Sequence, residues 1–195
     1  LLPRAFYLRP VEEVARGLLG MHLRSAEVVL RITEVEAYGG REDSASHCRF
    51  GRTERNAPMW EEGGRVYVYL CYGLHHMLNI VTGPAGEGSA VLLRSCEPVE
   101  GLEILQQRRS GAQGTALLAG PGRVAQALGL DRSFNGHPLY EPGGLELREG
   151  SPPEGLLRGP RIGVPYAREE HREALLRLAD AGSRWVTARS ALRPL

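Results

Sequence analysis

Glu34 and Glu36 stand two residues apart in ITEVEAY, and Tyr38 follows two further on. In an extended chain side chains alternate, so Ile32, Glu34, Glu36 and Tyr38 share one face while Thr33, Val35 and Ala37 share the other. A carboxylate beside a second one, or desolvated by a ring, has its pKa raised and becomes a usable base. A wet sheet face would show the same pattern, and the pattern alone favours it. RVYVYLC repeats the alternation, with Tyr67 and Tyr69 on one face and Val66, Val68 and Leu70 on the other. Tyr72 then falls beside Gly73, where a tight turn is expected. Turn tips favour Asn, Asp and Gly. A large ring there reads as a probe for something outside the domain, such as a base step in a duplex. A ring folded back on the sheet is the even alternative. His75 and His76 are adjacent, so on a strand they point to opposite faces and cannot chelate together. No H-E-x-x-H and no Cys/His ligand spacing occurs, and no metal is expected. GPAGEG and AGPGR match no phosphate-loop fingerprint and read as turns.

These residues need elements to hold them. Glu27–Tyr38 is rich in β-branched residues and reads as a strand. Arg65–Cys71, Leu74–Thr82 and Ser89–Cys96, separated by Tyr72-Gly73 and the Gly83–Gly88 turn cluster, read as an antiparallel meander. Pro10–Gly20 reads as a helix, as do Gly101–Arg109, Gly122–Leu128 and Glu169–Leu178. Arg161–Val164 and Trp185–Thr187 read as late strands. The polar, Arg-rich stretch Gly39–Met59 is long for a connection, and such connections tend to be functional or disordered. Residues 131–160 are rich in Gly and Pro and are expected to wander over the surface. The expected fold is mixed α+β, one domain over residues 1–195, with a curved, mostly antiparallel sheet, a protruding β-hairpin and surrounding helices.

Composition narrows the chemistry. The 195 residues carry 24 basic side chains, every one an arginine. With no lysine, mechanisms through a lysine amine are excluded: Schiff bases, pyridoxal phosphate attachment and a P-loop lysine. Three cysteines without a close pair argue against a disulfide scaffold and for a reducing, cytoplasmic compartment. No run approaches the roughly 18 apolar residues of a membrane span. The net charge of +1 says little, but residues 158–195 carry 8 Arg against 4 acids. That basic quarter could face phosphates or be a solvated surface.

Together the segments resemble the alkyladenine (3-methyladenine, methylpurine) DNA glycosylase family. The resemblance rests on ITEVEAYGGREDSASHCRFGRTERNAPMW, RVYVYLCYGLHHMLNIV and SAVLLRSCEPVEGLE, with weaker matches at GTALLAGPGRVAQALGL, RIGV and GSRWVT. These run in the family order over nearly the whole chain. The combination of E-x-E-A-Y, a histidine eleven residues past its second Glu, and Y-V-Y-x-x-Y-G with a later Asn is specific.

The resemblance implies an enzyme that flips damaged purines (3-methyladenine, 7-methylguanine, hypoxanthine, ethenoadenine) out of duplex DNA and hydrolyses the N-glycosidic bond. Glu36 matches the general base, and Arg94 a residue holding the attacking water or its carboxylate. Glu34 matches a supporting position. Tyr38, His47 and Tyr69 match the walls of the base pocket. His47 would also offer a main-chain N–H to the purine edge, and Ala45 a backbone contact. Asn79 matches a side chain that clashes with the exocyclic amine of guanine. Tyr72 matches the intercalating ring. Arg52, Arg55 and Arg123 would meet the DNA backbone. The partner implied is damaged double-stranded DNA, acted on by a monomer without cofactor or obligatory protein partner. Without lysine, the strand-cutting Schiff base of bifunctional glycosylases is not expected. A non-catalytic binder of distorted duplex is the alternative, and a nucleoside hydrolase a third; the tip tyrosine argues against the latter, since a free nucleoside leaves no gap to fill.

Overall fold

In the computed structural model, which describes residues 1–195, two short helices open the chain, α1 (Arg4–Tyr7) and α2 (Val11–Leu18). Glu12 and Glu13 lie in the first turn of α2, where the helix dipole favours acids, and Val14, Ala15 and Leu18 turn inward. Strands β1 (His22–Ser25) and β2 (Val28–Tyr38) pair as a hairpin. The expected meander follows as β3 (Val66–Cys71), β4 (His75–Thr82) and β5 (Ser89–Glu100). Next come α3 (Leu102–Arg108) and α4 (Pro121–Leu128), the latter begun by a proline and stopped by Gly129 at φ 69°. The chain ends with β6 (Leu145–Arg148), β7 (Leu156–Gly159), α5 (Glu169–Arg172), β8 (Arg177–Asp180) and β9 (Arg193–Pro194).

All nine strands join one sheet in the order β3-β4-β5-β2-β8-β7-β9, with β1 beside the first part of β2 and β6 beyond it. Every pairing is antiparallel. The mixed α+β class with a mostly antiparallel sheet is therefore observed.

One sheet face carries the main core. Ile32, Val35, Val66, Val68, Leu78, Ile80, Val91 and Leu93 pack there with Leu18, Val124 and Leu128 from α2 and α4. Each fully buried aliphatic side chain stabilises the fold by about 1.5–3 kcal/mol. The opposite face carries the polar and aromatic residues. Strand register lines up Glu36 of β2, Leu92 of β5, Asn79 of β4 and Tyr67 of β3 as one transverse row.

The alternation expected for β2 breaks once. Between β2 and β5 the register steps from Ile32↔Cys96 to Glu34↔Ser95, then to Val35↔Leu93, so Thr33 and Arg94 are each skipped. These paired bulges turn Ile32 into the core with Val35, away from Glu34 and Glu36.

Other expectations are corrected. Arg161–Val164 is not a strand: Gly163 sits at φ 81°, and Pro160 and Pro165 flank the stretch. The helix expected over Glu169–Leu178 ends at Arg172, and Arg177–Asp180 pairs with β2 and β7 instead. Tertiary pairing overrides helix propensity there. Trp185–Thr187 makes no ladder. It is pinned by side chains, with Thr33 Oγ1 donating to the Trp185 carbonyl at 2.6 Å and Thr187 N–H donating to Glu34 at 2.7 Å. Residues 131–160 do not only wander, since they contain β6 and β7, and β1 was not foreseen. No helix is long and apolar enough to cross a membrane. The three cysteines are free, with Cys48 and Cys96 buried and Cys71 half-buried.

Candidate active site

A cavity of about 480 Å³ opens on the polar and aromatic face of the sheet. Its floor comes from Tyr67 and Tyr69 of β3, Asn79 of β4, and Leu92 and Arg94 of β5. The loop after β2 supplies Ala45, His47 and Arg55, and the loop after β7 supplies Ile162 and Tyr166. Tyr38 and Tyr72 complete the rim.

Glu36 has none of its surface exposed and is not itself among the residues that line the cavity; it meets the lining through Tyr38, Arg94 and Ile162, all three of which it contacts. Its Oε1 accepts from the Ile162 N–H at 2.7 Å and lies 3.2 Å from Nη1 of Arg94. Its Oε2 accepts only from the Tyr38 hydroxyl, at 2.8 Å. A carboxylate oxygen takes two such bonds, so Oε2 keeps a lone pair for a further donor. Burial pushes the Glu36 carboxyl above its ordinary pKa. The Arg94 charge and the Ile162 and Tyr38 contacts oppose that rise, while Glu34 adds to it.

Arg94 sits between the two acids. Nε donates to Glu34 Oε1 at 3.0 Å, and Nη2 to Thr187 Oγ1 at 3.3 Å. Glu34 is saturated by donors: Ser95 Oγ at 2.8 Å, Arg177 Nη1 at 3.1 Å, and the N–H and hydroxyl of Thr187. Arg177 is itself fully buried. Buried charges survive when paired and hydrogen-bonded in this way. Arg94 shares the cavity face of β5 with Leu92, while Leu93 between them enters the core.

The walls are held as firmly. The Tyr38 ring carries the Arg161 guanidinium at 4.7 Å, and Arg161 Nη2 donates to Asp43 at 2.9 Å. His47 meets the Tyr69 ring edge-on at 4.5 Å, and its Nδ1 lies 3.1 Å from the Tyr67 hydroxyl. Burial, with help from the Arg55 and Arg49 charges, lowers the His47 pKa to about 4, so the ring is neutral at physiological pH. The His47 N–H makes no hydrogen bond within the protein. Ala45 donates to Asp43 and accepts from the Tyr166 hydroxyl, so both its main-chain groups are engaged. Both N–H groups of the Asn79 amide are tied to carbonyls, those of Tyr67 at 3.1 Å and Met77 at 3.2 Å. The side chain therefore cannot swing aside.

Tyr72 stands at the tip of the β3–β4 hairpin, 93% exposed. The turn closes with the Leu74 N–H donating to the Cys71 carbonyl at 3.0 Å, and Tyr72 and Gly73 have φ of 50° and 70°. Two positive φ values define the turn geometry that suits the twist of a hairpin and favours Asn-Gly. A tyrosine in the first of those places is strained by roughly 1–2 kcal/mol. Such strain gathers at functional positions.

Of the residues expected to contact the DNA backbone, Arg55 reaches the cavity mouth, where it donates to the Leu70 carbonyl at 3.2 Å. Arg52 and Arg123 are exposed and lie outside the cavity lining. Asp43, Arg161, Ile162, Tyr166, Arg177 and Thr187 were not foreseen as site residues. Matching segments held some of them: ITEVEAYGGREDSASH contains Asp43, RIGV contains Arg161 and Ile162, and GSRWVT contains Thr187, while Tyr166 and Arg177 lie in none. Ile162, Arg177 and Thr187 reach β2 from more than a hundred positions away.

The site thus joins a ring-lined cavity, a buried carboxyl bonded to its lining and a strained aromatic hairpin tip at its rim. The Methylpurine-DNA glycosylase (MPG) family matches residues 5–184. A protein of Nitrosococcus oceani, provisionally named 3-methyladenine DNA glycosylase, is 58% identical over the whole of this chain and 96% of its own length. The Arabidopsis thaliana protein named DNA-3-methyladenine glycosylase is 52% identical over the whole chain and 78% of its own length. The chain belongs to the methylpurine-DNA glycosylase family.

Proposed function

We propose that this protein is a monofunctional DNA glycosylase. It extrudes a damaged purine from the duplex and hydrolyses the bond from the base to C1′, leaving an intact abasic site. The observation that carries this reading is the buried Glu36 carboxylate, bonded to the cavity-lining Tyr38, Ile162 and Arg94, with one lone pair of Oε2 uncommitted.

Glu36 orients a water and takes its proton as the water oxygen bonds to C1′. The bond from C1′ to the purine breaks, and the base leaves with the electron pair. The sugar passes through an oxocarbenium-like state. An alkylated, cationic purine leaves as a neutral base, so no general acid is required. A neutral lesion such as hypoxanthine needs protonation as well. Arg94 fixes the carboxylate from the side.

Tyr38, His47 and Tyr69 form the slot for the base. A neutral imidazole and electron-rich rings receive an electron-poor or cationic purine well. The unpaired His47 N–H is available to the purine edge; at Ala45 only the second lone pair of the carbonyl, which already accepts from the Tyr166 hydroxyl, is left for a backbone contact. Asn79, locked in place, excludes the exocyclic amine of guanine by repulsion. Tyr72 fills the gap in the stack, while Arg52, Arg55 and Arg123 meet phosphates. The absence of lysine supports a reaction without strand cleavage through a lysine Schiff base.

The test is incubation with duplexes carrying 3-methyladenine, hypoxanthine or ethenoadenine. Alkali-labile sites should form at the lesion. Borohydride added during the reaction should trap no covalent adduct. Absence of alkali-labile sites on every lesion would refute the activity, and a trapped adduct would refute the monofunctional mechanism.

A further inference from the structure

Phe50 is 83% exposed, on the loop that supplies Ala45 and His47 to the cavity. One side of it is covered by a cation. The Arg49 guanidinium lies 4.6 Å from the Phe50 ring and 4.7 Å from the Tyr166 ring, so it bridges the two. Tyr166 lines the cavity and is itself half exposed. A ladder of ring, guanidinium and ring thus runs outward from the cavity mouth and ends on Phe50.

The loop that presents Phe50 is braced. Arg49 Nη1 donates to the Ser46 carbonyl at 2.9 Å. The buried Asn56 side chain donates to the carbonyls of His47 at 2.9 Å and Gly51 at 3.0 Å, and accepts from the Thr53 N–H at 2.7 Å and Trp60 Nε1 at 3.2 Å. Gly51 turns the chain at φ 93°. The Phe50 side chain is therefore held outward by a fixed backbone. Around it, Arg41, Arg49 and Arg52 make no ion pair, and all but Arg49 are exposed. Unpaired arginines around a presented aromatic are the footprint of nucleic-acid binding: the charges meet phosphates and the ring meets sugar or base faces.

We infer that Phe50, backed by Arg49, is a second aromatic contact to DNA. It packs on sugar and base edges of the duplex flank that lies over the Tyr166 side of the cavity mouth. This rests on the glycosylase reading for the presence of a duplex at the mouth, and it adds an interaction surface separate from the Tyr72 wedge.

The probe is a duplex carrying a tetrahydrofuran abasic analogue, which cannot be cleaved, with a hypoxanthine duplex for turnover. Being exposed, Phe50 can be replaced without disturbing the core. Phe50→Ala should bind the analogue duplex about tenfold more weakly, with the single-turnover rate at saturating enzyme within twofold of wild type. Phe50→Trp should retain wild-type affinity. Trimming the duplex from one end should abolish the difference between wild type and Phe50→Ala, and trimming from the other should preserve it. Equal affinity of Phe50→Ala and wild type on the full duplex, or a difference indifferent to both trims, would overturn the inference. A wild-type enzyme that releases no base but binds with the Phe50-dependent pattern would count against the glycosylase reading alone. Base release with unchanged Phe50→Ala affinity would count against Phe50 alone.

Discussion

At the scale of single residues, the site is governed by what burial does to charge. Burial raises the Glu36 pKa, so the acidic limb of base release should lie above the ordinary carboxylate value of about 4.3. For 3-methyladenine only that limb is expected; for hypoxanthine a fall at higher pH should follow, because the leaving base needs a proton. Single-turnover rates against pH for the two lesions measure this, and an acidic limb at an unshifted carboxylate pKa would contradict it. His47 moves the other way, from about 6.5 to about 4. Between those values the unfolded chain takes a proton that the folded protein refuses. Stability should therefore fall as pH drops from 6.5 toward 4, by at most about 3 kcal/mol from this group. Denaturant unfolding at pH 7.5 and 4.5 should show a smaller acid loss in His47→Gln than in wild type; equal losses would remove His47 as the cause.

At the scale of elements, the hairpin tip trades stability for reach. Tyr72 buries almost nothing and occupies a backbone conformation suited to Asn. Tyr72→Asn should stabilise the fold by about 1 kcal/mol in denaturant melts and weaken binding to lesion duplex. A destabilised variant, or one that binds normally, would contradict the reading of the strain. The elements also mark what could be read from sequence. β2, β3 and β4 announced themselves by β-branched residues, alternation and a turn signal, and the alternation of β3 placed Tyr67 and Tyr69 on one side; Asn79 was reached only through the family resemblance. The bulges at Thr33 and Arg94 left no local signal, because a bulge is fixed by the pairing of distant strands. Arg177 was misread within a helix for the same reason: its place is decided by the buried Glu34 it pairs with, 143 residues away. The site residues on irregular loops, Ile162 and Tyr166 above all, depend on contacts that no periodicity encodes.

At the scale of the whole molecule, the near-neutral charge of +1 limits how strongly the protein can hold DNA without a lesion. With Arg52, Arg55 and Arg123 on phosphates, these three should account for about −3 of the slope of log affinity against log salt, each contributing roughly 0.9. Replacing any one by alanine should reduce the slope by about 1. A slope unaffected by all three changes would move the phosphate contacts elsewhere, the basic C-terminal quarter being the first place to look.

The most direct measurement is single-turnover base release by Glu36→Gln on hypoxanthine duplex, alongside its affinity for the same duplex. The glutamine oxygen can replace Oε1 toward Ile162 and Arg94, and its amide can donate to the Tyr38 hydroxyl, which accepts as readily as it donates. Because the Glu36 pKa is raised, its stabilising share is present at low pH and lost as pH rises through the folded value. The variant should therefore fold at neutral pH at least as stably as wild type. Lesion binding within a few fold of wild type, with release slowed by 100-fold or more, is the predicted result. Release at a wild-type rate would show that this carboxylate is not the base.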